Sequence, residues 1–211
     1  MQDNPRLGIM LMIATTVVFA VQDGLSRYLA ESCNVITVVT IRYIFFMCFV
    51  IAFSANQQGG IRAIANTGQL LLQIGRGLLL VAQICVAIFS FTTVGLVHFH
   101  AVFASYPLMI MALSVPILGE TVGWRRWIAV LIGFSGVMLI LRPGSAMFST
   151  SSIMPVLAAF MMASYGLMTR FAARNDPALT SFFWTAIAGG IAVMCIGPFY
   201  WQPPVGVDWV W

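Results

Sequence analysis

Charged side chains are scarce in this sequence, and lysine is absent from it altogether. Only 8% of the 211 residues are charged, whereas 61% are hydrophobic, and the mean hydropathy is +0.97. A soluble domain is typically about one quarter charged. A chain so poor in charge cannot cover a water-facing surface, so we predict an all-α integral membrane protein whose solvent is the lipid bilayer. Its apolar runs are continuous, which excludes the alternating pattern of a transmembrane β-barrel.

Several enzyme motifs are also missing. The sequence contains no GxxxxGK[ST] phosphate loop, no HExxH motif and no GxSxG motif, and no two carboxylates share an apolar run. ATP is therefore not expected to drive this chain directly, and a membrane-embedded enzyme is the less favoured interpretation. The net charge of +4 is too small and too scattered to predict nucleic-acid binding. No cofactor is predicted.

Cysteine contributes only four residues, none of them in a CxxC pair. Three of the four lie inside apolar runs, so we interpret them as small core side chains rather than as disulfides or metal ligands. No metal site is predicted. The four residues are Cys33, Cys48, Cys85 and Cys195.

The sequence does contain seven apolar segments, and each is close to the roughly 20 residues that cross a bilayer as a helix. Short polar or Gly/Pro stretches separate them, most clearly at Asn56–Gly60, Pro143–Gly144 and Asn175–Pro177. Almost nothing separates the third and fourth segments around Gly95, which predicts a tight antiparallel hairpin. The first run is too long for a cleaved signal peptide and is taken as a retained span. The predicted spans are 7–29, 35–54, 69–93, 96–117, 124–141, 151–171 and 178–200.

The distribution of arginine predicts the orientation of these spans, because cytoplasmic loops are enriched in positive charge. With the N-terminus in the cytoplasm, seven arginines fall on the inner side, Arg27 and Arg142 fall outside, and Arg42 lies within a span. We therefore predict a multi-pass protein of the bacterial inner membrane with a cytoplasmic N-terminus and an external tail at Trp209–Trp211. The seven inner arginines are Arg6, Arg62, Arg76, Arg125, Arg126, Arg170 and Arg174.

The chain also shows an internal repeat at an offset of 143 residues. At this offset the first two spans align with the sixth and seventh, so that LSRYLA at 25–30 meets MTRFAA at 168–173. Five spans separate the copies, an odd number, so the second copy must enter the membrane inverted. Inverted repeats are typical of transporters, whose substrate site lies at the repeat interface near the midplane. Chance similarity between two hydrophobic helices is the alternative.

A family resemblance rests on the stretch from Tyr106 to Gly144, YPLMIMALSVPILGETVGWRRWIAVLIGFSGVMLILRPG. It resembles the end of a repeat in the EamA family of the drug/metabolite transporter superfamily. In that family a proline-containing fourth helix ends in a Leu-Gly-Glu signature, and a tryptophan and a glycine-rich fifth helix follow. The matching residues are Pro107, Leu118, Gly119, Glu120, Trp127, Gly133 and Gly136, and Arg42-Tyr43 in the second span also fits.

The resemblance implies ten spans arranged as two inverted five-helix halves. We expect a complete first repeat at 7–142 and a partial second repeat at 150–211, with three helices of the family fold missing. The implied function is a secondary transporter working by alternating access on small amino-acid-like, S-adenosylmethionine-like or drug-like solutes. Proton coupling and a homodimer are left open.

Asp23 and Arg42 are the most informative candidates for a substrate or coupling-ion site. At 1.5 Å per residue, each lies about 9–11 Å from the outer end of its helix, so antiparallel neighbours would hold them at one depth. A charge in a span costs about 2.5–3.5 kcal/mol on insertion scales, so a partner or a wet cavity is expected. Asp23 would take up a proton or a cationic substrate, and Arg42 would hold a carboxylate; a structural ion pair is the alternative.

Other polar residues of the spans are candidates for lining the same cavity, with helix–helix hydrogen bonding as the alternative. His98 and His100 are about 200° apart on a helix and cannot easily share a metal ion, although one of them can face the cavity. Glu120 is interpreted as a membrane-edge salt bridge. The remaining candidates are Gln22, Gln83, Tyr106 and Tyr165, together with Gln73 and Ser105.

Two further interpretations compete with a carrier. A truncated non-transporting fragment or assembly partner predicts no flux by this chain alone. A small passive channel predicts flux without saturation or counterflow.

Overall fold

The computed structural model describes residues 5–57, 59–119, 123–141 and 153–203, and within these ranges the chain is helical without a strand. This confirms the predicted all-helical membrane architecture. The helices are α1 (Pro5–Ser32), α2 (Val35–Ala55), α3 (Gly60–Ala65), α4 (Leu70–Thr93), α5 (Leu96–Phe103), α6 (Tyr106–Leu118), α7 (Trp124–Leu141), α8 (Ile153–Ala172) and α9 (Ala178–Ile196). A 3-10 turn, Gly197–Tyr200, follows α9.

Six helical stretches of the described residues are long and apolar enough to cross a membrane. They correspond to the first four and the last two predicted spans. The fifth predicted span, 124–141, has the same bounds as α7, an 18-residue helix that begins with Trp124-Arg125-Arg126. Glu120, Arg142, the break at Pro143–Gly144 and the tail at Trp209–Trp211 lie outside the described residues.

The fourth predicted span is one crossing built from two helices, α5 and α6. Pro107 has no N–H to donate to the Phe103 carbonyl, and proline also disfavours helical geometry in the residue before it. The chain responds with a tightened turn, in which the Ser105 N–H donates to the Val102 carbonyl at 3.0 Å. A discontinuous helix of this kind is tolerated in a membrane only where its backbone is covered by protein or lines a wet cavity.

Helix α4 lies at the centre of the bundle and makes its most extensive contacts with α8 and α9, while α2 packs on α9 and α6 on α8. Small residues allow the closest approaches. A Cβ on Gly77 of α4 would lie 2.9 Å from the Ala188 Cβ of α9, and a Cβ on Gly189 would lie 2.5 Å from the Tyr43 ring. Helix α1 is peripheral and exposes most of its apolar side chains.

The helix boundaries follow the predicted offset in one respect. Helix α9 begins at Ala178, which is 143 residues after Val35, the first residue of α2. The repeat itself, with its inverted second copy, remains a prediction.

Candidate functional site

Four of the predicted site residues lie together where α1, α2 and α5 meet, and we call Gln22, Asp23, Arg42 and His100 the α1–α2–α5 cluster. Asp23 Oδ2 lies 3.3 Å from His100 Nε2, and their side chains are 27% and 48% exposed. His98 points elsewhere, and its buried Nε2 has no hydrogen-bond partner among the described residues. Of the two histidines, only His100 therefore contacts the predicted acidic residue.

Arg42 is held by Gln22 rather than by Asp23. With its amide oxygen turned toward the guanidinium, Gln22 accepts hydrogen bonds from Arg42 Nη2 at 2.7 Å and from Nε at 3.1 Å. Asp23 and Arg42, both described, form no ion pair within 4.0 Å, although they lie close enough to interact electrostatically. The cluster thus holds a carboxylate and a guanidinium side by side without direct mutual neutralisation.

A second polar cluster lies between α4, α8 and α9, and Arg76 is at its centre. The Arg76 side chain is 2% exposed and lies on α4, inside the predicted span 69–93. Its Nη1 donates to Thr169 Oγ1 at 3.1 Å and to the Tyr165 hydroxyl at 3.5 Å, and its Nη2 donates to Thr185 Oγ1 at 2.8 Å. Nη2 also donates to the Ser181 carbonyl and, at 3.0 Å, to Gln73 Oε1.

Gln73 links Arg76 to the buried carboxylate of Asp176, which lies between α8 and α9. Gln73 Nε2 donates to Asp176 Oδ2 at 2.8 Å and to Ser181 Oγ at 3.1 Å. Thr67 Oγ1 donates to the same carboxylate oxygen at 2.5 Å. Arg76 and Asp176, both described, form no ion pair within 4.0 Å, so their opposite charges are joined through an amide. We call Gln73, Arg76, Asp176 and their partners the Arg76 network.

Tyrosine side chains connect the two clusters. Tyr43 follows Arg42 on α2, is 2% exposed, and lies close enough to both Arg42 and Tyr165 to interact with them electrostatically. Tyr165 in turn lies over Arg76, with its ring centroid 5.3 Å from the guanidinium carbon. The Tyr43 hydroxyl is buried without a hydrogen-bond partner among the described residues. Polar groups therefore follow one another through an otherwise apolar bundle.

The remaining predicted residues lie near this path but add no contact to the charged groups. Gln83 is buried on α4, two turns beyond Arg76. Tyr106 begins α6 and packs against Phe103 across the helix break, with ring centroids 5.3 Å apart. Ser105, at the break itself, is 1% exposed, and its hydroxyl has no partner among the described residues.

The structure shows no arrangement typical of a metal centre in the part of the chain it describes, since no three His, Cys, Asp or Glu side chains group together there. The four cysteines are free thiols, two of them exposed. What the two clusters offer is hydrogen bonding and charge.

Comparison with known proteins finds a matching protein family and several similar proteins. The EamA-like transporter family matches residues 6–142 of this chain. The S-adenosylmethionine uptake transporter of Rickettsia prowazekii is 24% identical over 201 residues, which cover 93% of this chain and 66% of that protein. The riboflavin transporter of Vibrio cholerae is 28% identical over 213 residues, which cover 96% of this chain and 68% of that protein.

A shorter match is also found with the riboflavin transporter of Rhizobium johnstonii, which is 36% identical over 81 residues, 36% of this chain and 27% of that protein. The chain spans about two thirds of the length of the curated relatives that it matches over most of its own length. No solved structure matches it.

Proposed function

Because the chain belongs to the EamA-like transporter family, we propose that it is part of a secondary transporter that moves a small polar metabolite across the membrane by alternating access. The observation that carries the proposal is that the opposite charges of Asp23 and Arg42 lie close enough to interact electrostatically. They form no ion pair, although both lie in membrane-spanning helices. Charges inside a span are rare and face a partner or a wet cavity.

The α1–α2–α5 cluster fits a solute that carries both a cationic and an anionic group. The Asp23 carboxylate would attract an ammonium or sulfonium centre, and Arg42 would bind a carboxylate through charge-assisted hydrogen bonds. The guanidinium of Arg42 donates to the neutral amide of Gln22. A substrate carboxylate can displace this amide more readily than it could displace the carboxylate of an acidic side chain. Amino-acid-like solutes, including S-adenosylmethionine-like ones, combine these two groups.

The names of the relatives support a small-molecule substrate without selecting one. The Rickettsia protein is named for uptake of S-adenosylmethionine, and the Vibrio protein for riboflavin. Riboflavin has no ammonium and no carboxylate, so the cluster favours the first of these chemistries. A drug-like cation remains an alternative, and it would need Asp23 but not Arg42.

The proposal places the protein in the bacterial inner membrane as a multi-pass chain with its N-terminus in the cytoplasm. The bacterial origin of the named relatives and the exposed apolar side chains of α1 support a multi-pass membrane protein of a bacterium, while the cytoplasmic N-terminus rests on the arginine distribution alone. His100 beside Asp23 would let a proton compete with the substrate cation, which is how proton coupling would arise. A homodimer stays a prediction.

The first test is uptake of radiolabelled S-adenosylmethionine and riboflavin by proteoliposomes that contain the purified protein. We expect saturable uptake and counterflow with S-adenosylmethionine. Asp23→Asn and Arg42→Gln should each lower uptake at least tenfold, because each removes one charged contact worth about 1.5–3 kcal/mol.

Arg27→Gln is the matched control, since Arg27 forms an exposed ion pair with Glu31 near the end of α1 and should be dispensable. Uptake that rises linearly with concentration would indicate a passive channel, and no flux at all would indicate a non-transporting assembly partner. Full activity of Asp23→Asn and Arg42→Gln would exclude the cluster as the binding site.

A further inference from the structure

The Arg76 network joins two parts of the chain that the predicted repeat assigns to different halves. Gln73 and Arg76 lie on α4, and the groups that their side chains bond elsewhere in the described residues lie on α8, on α9 or between them. The bonds from Arg76 to Tyr165, Thr169 and Thr185, and from Gln73 to Asp176 and Ser181, all cross this boundary. The boundary between α4 and the α8–α9 pair, which we call the seam, is thus held together at one end by hydrogen bonds between polar side chains.

A helix–helix interface that never opens in a membrane bundle does not need to be held together by hydrogen bonds between polar side chains. Hydrogen bonds between membrane helices average only about 0.6 kcal/mol, and replacing all members of a buried polar or ionic group together by well-packed apolar residues is often neutral. A polar interface and an apolar interface differ in what happens when the helices separate. Water can satisfy the separated polar groups, whereas an apolar seam would expose hydrophobic surface. A seam that opens to water during function is therefore better built from polar side chains.

The network also extends to the chain connections at the same end of the bundle. Asp176 lies between α8 and α9, and Thr67 lies between α3 and α4, so their 2.5 Å hydrogen bond ties the two connections together. The Trp184 indole N–H donates to the Ala65 carbonyl at 3.1 Å and adds a second tie. Arg76 lies farther inside the bundle than these connections, about 9 Å along α4 from the first residue of that helix.

We propose that Gln73, Arg76 and Asp176 form a gate that closes this end of the bundle in the present conformation. The gate opens when α4 separates from the α8–α9 pair and water replaces the bonds between them. This inference rests on the proposed alternating-access function, which requires such an opening. Asp176 acts through Gln73 and holds the gate shut without touching the α1–α2–α5 cluster.

The predicted repeat supports this assignment. Three groups that bind the Arg76 guanidinium, on Tyr165, Thr169 and Thr185, follow Gln22, Ser26 and Arg42 by 143 residues each. Two of these three positions, Gln22 and Arg42, belong to the α1–α2–α5 cluster, so shared repeat positions contribute to both polar clusters. If the second copy is inverted, the two clusters face opposite sides of the membrane, as a binding site and an opposing gate should.

The test is the accessibility of a thiol inside the seam. Ala188→Cys is introduced after the four native cysteines have been replaced by serine or alanine. Position 188 is 8% exposed and lies against Gly77, one residue from Arg76. A membrane-impermeant thiol reagent is added to membrane vesicles of both orientations. Asp176→Asn, which loses its charge but keeps its size, is compared with Asn175→Ala, a change at an exposed neighbour.

We expect Asp176→Asn and Gln73→Leu to raise the labelling rate roughly fivefold or more from one side only, because losing about one bond's stabilisation shifts an opening equilibrium by that factor. Asn175→Ala should label like the parent protein. Equal labelling of Asp176→Asn and Asn175→Ala would overturn the gate. Hydrogen–deuterium exchange of residues 178–188 in the same two variants, with alanine kept at 188, gives the same comparison if the reporter does not fold.

Labelling needs no substrate, so the two proposals can fail separately. A gate that responds to Asp176→Asn in a protein that transports no solute would contradict the transport function while keeping the opening. Saturable uptake together with labelling that ignores Asp176→Asn would keep the function and remove the gate.

Discussion

The two polar clusters satisfy their guanidinium groups in different ways. Among the described residues, Arg42 has one hydrogen-bonding partner, Gln22, and remains partly exposed. Arg76 is buried and donates to groups on five residues, two of them threonine hydroxyls. Neither arginine has a carboxylate within 4.0 Å in the described part of the chain. The difference lies in how many residues hold each guanidinium in place.

This difference matches the two proposed roles: ligand binding for the α1–α2–α5 cluster and closure of the gate for the Arg76 network. A guanidinium has five N–H donors, and those of Arg42 face a single amide oxygen that a ligand can replace. The Nη1 and Nη2 donors of Arg76 are taken up by groups on α4, α8 and α9, so they hold those helices together. The buried Nε of Arg76 has no hydrogen-bond partner among the described residues. Under the two proposals, the same chemical group would bind a ligand in one cluster and hold helices together in the other.

The largest expected effect on stability is that of Arg76→Met, compared with Arg42→Met. Removing Arg76 leaves buried hydroxyl and carbonyl groups without their donor, which should lower the free energy of unfolding by about 3 kcal/mol. Removing Arg42 leaves only Gln22 without a partner at a partly exposed position, and the loss should stay below about 1 kcal/mol. Denaturant unfolding of both variants in the same detergent measures the difference. Equal losses would contradict the contrast between the clusters.

Glycine substitutions probe the packing around the same two regions and should have a smaller effect. A Cβ on Gly189 would meet the Tyr43 ring at 2.5 Å and Val81 at 2.8 Å, whereas a Cβ on Gly24, beside Asp23, meets nothing within 4 Å. Gly189→Ala should therefore cost about 1–3 kcal/mol through overpacking. Gly24→Ala should be neutral or stabilise α1 by up to about 1 kcal/mol. The melting temperatures of the two variants in detergent test this, and a stable Gly189→Ala variant would show that α2, α4 and α9 pack loosely.

The positions of the helices could be predicted because hydrophobic length decides them. The bounds of α7 agree with the predicted span at both ends, and α2, α4 and α9 begin within one residue of their predicted starts. The short helix α3 was not predicted, since six residues between two breakers leave no periodic signal. The interruption at Ala104–Ser105 has a visible cause in Pro107, but proline inside an apolar run predicts either a kink or a full break.

The Arg76 network could not be predicted as a unit. The residues that accept hydrogen bonds from Arg76 lie 89–109 residues away from it along the chain, except for Gln73. Sequence spacing gives a residue's depth in its own helix but not the neighbour that its side chain meets. The same limit explains why spacing predicts a similar depth for Asp23 and Arg42 but does not predict their partners, His100 and Gln22, which are set by the packing of three helices. One signal was present: Gln73 and Arg76 are three residues apart, on one face of α4.

The smallest expected effect separates the two histidines of α5 and sharpens the definition of the binding cluster. His100 lies 3.3 Å from Asp23, whereas His98 contacts no charged group among the described residues. Partly exposed pairs of this kind contribute about 0.2–1 kcal/mol, so His100→Ala should raise the KM for uptake up to about fivefold and leave the maximal rate unchanged. His98→Ala should alter neither value. If the two variants behave alike in uptake assays across pH 5–8, the contact between His100 and Asp23 has no part in binding, and the cluster reduces to Asp23, Gln22 and Arg42.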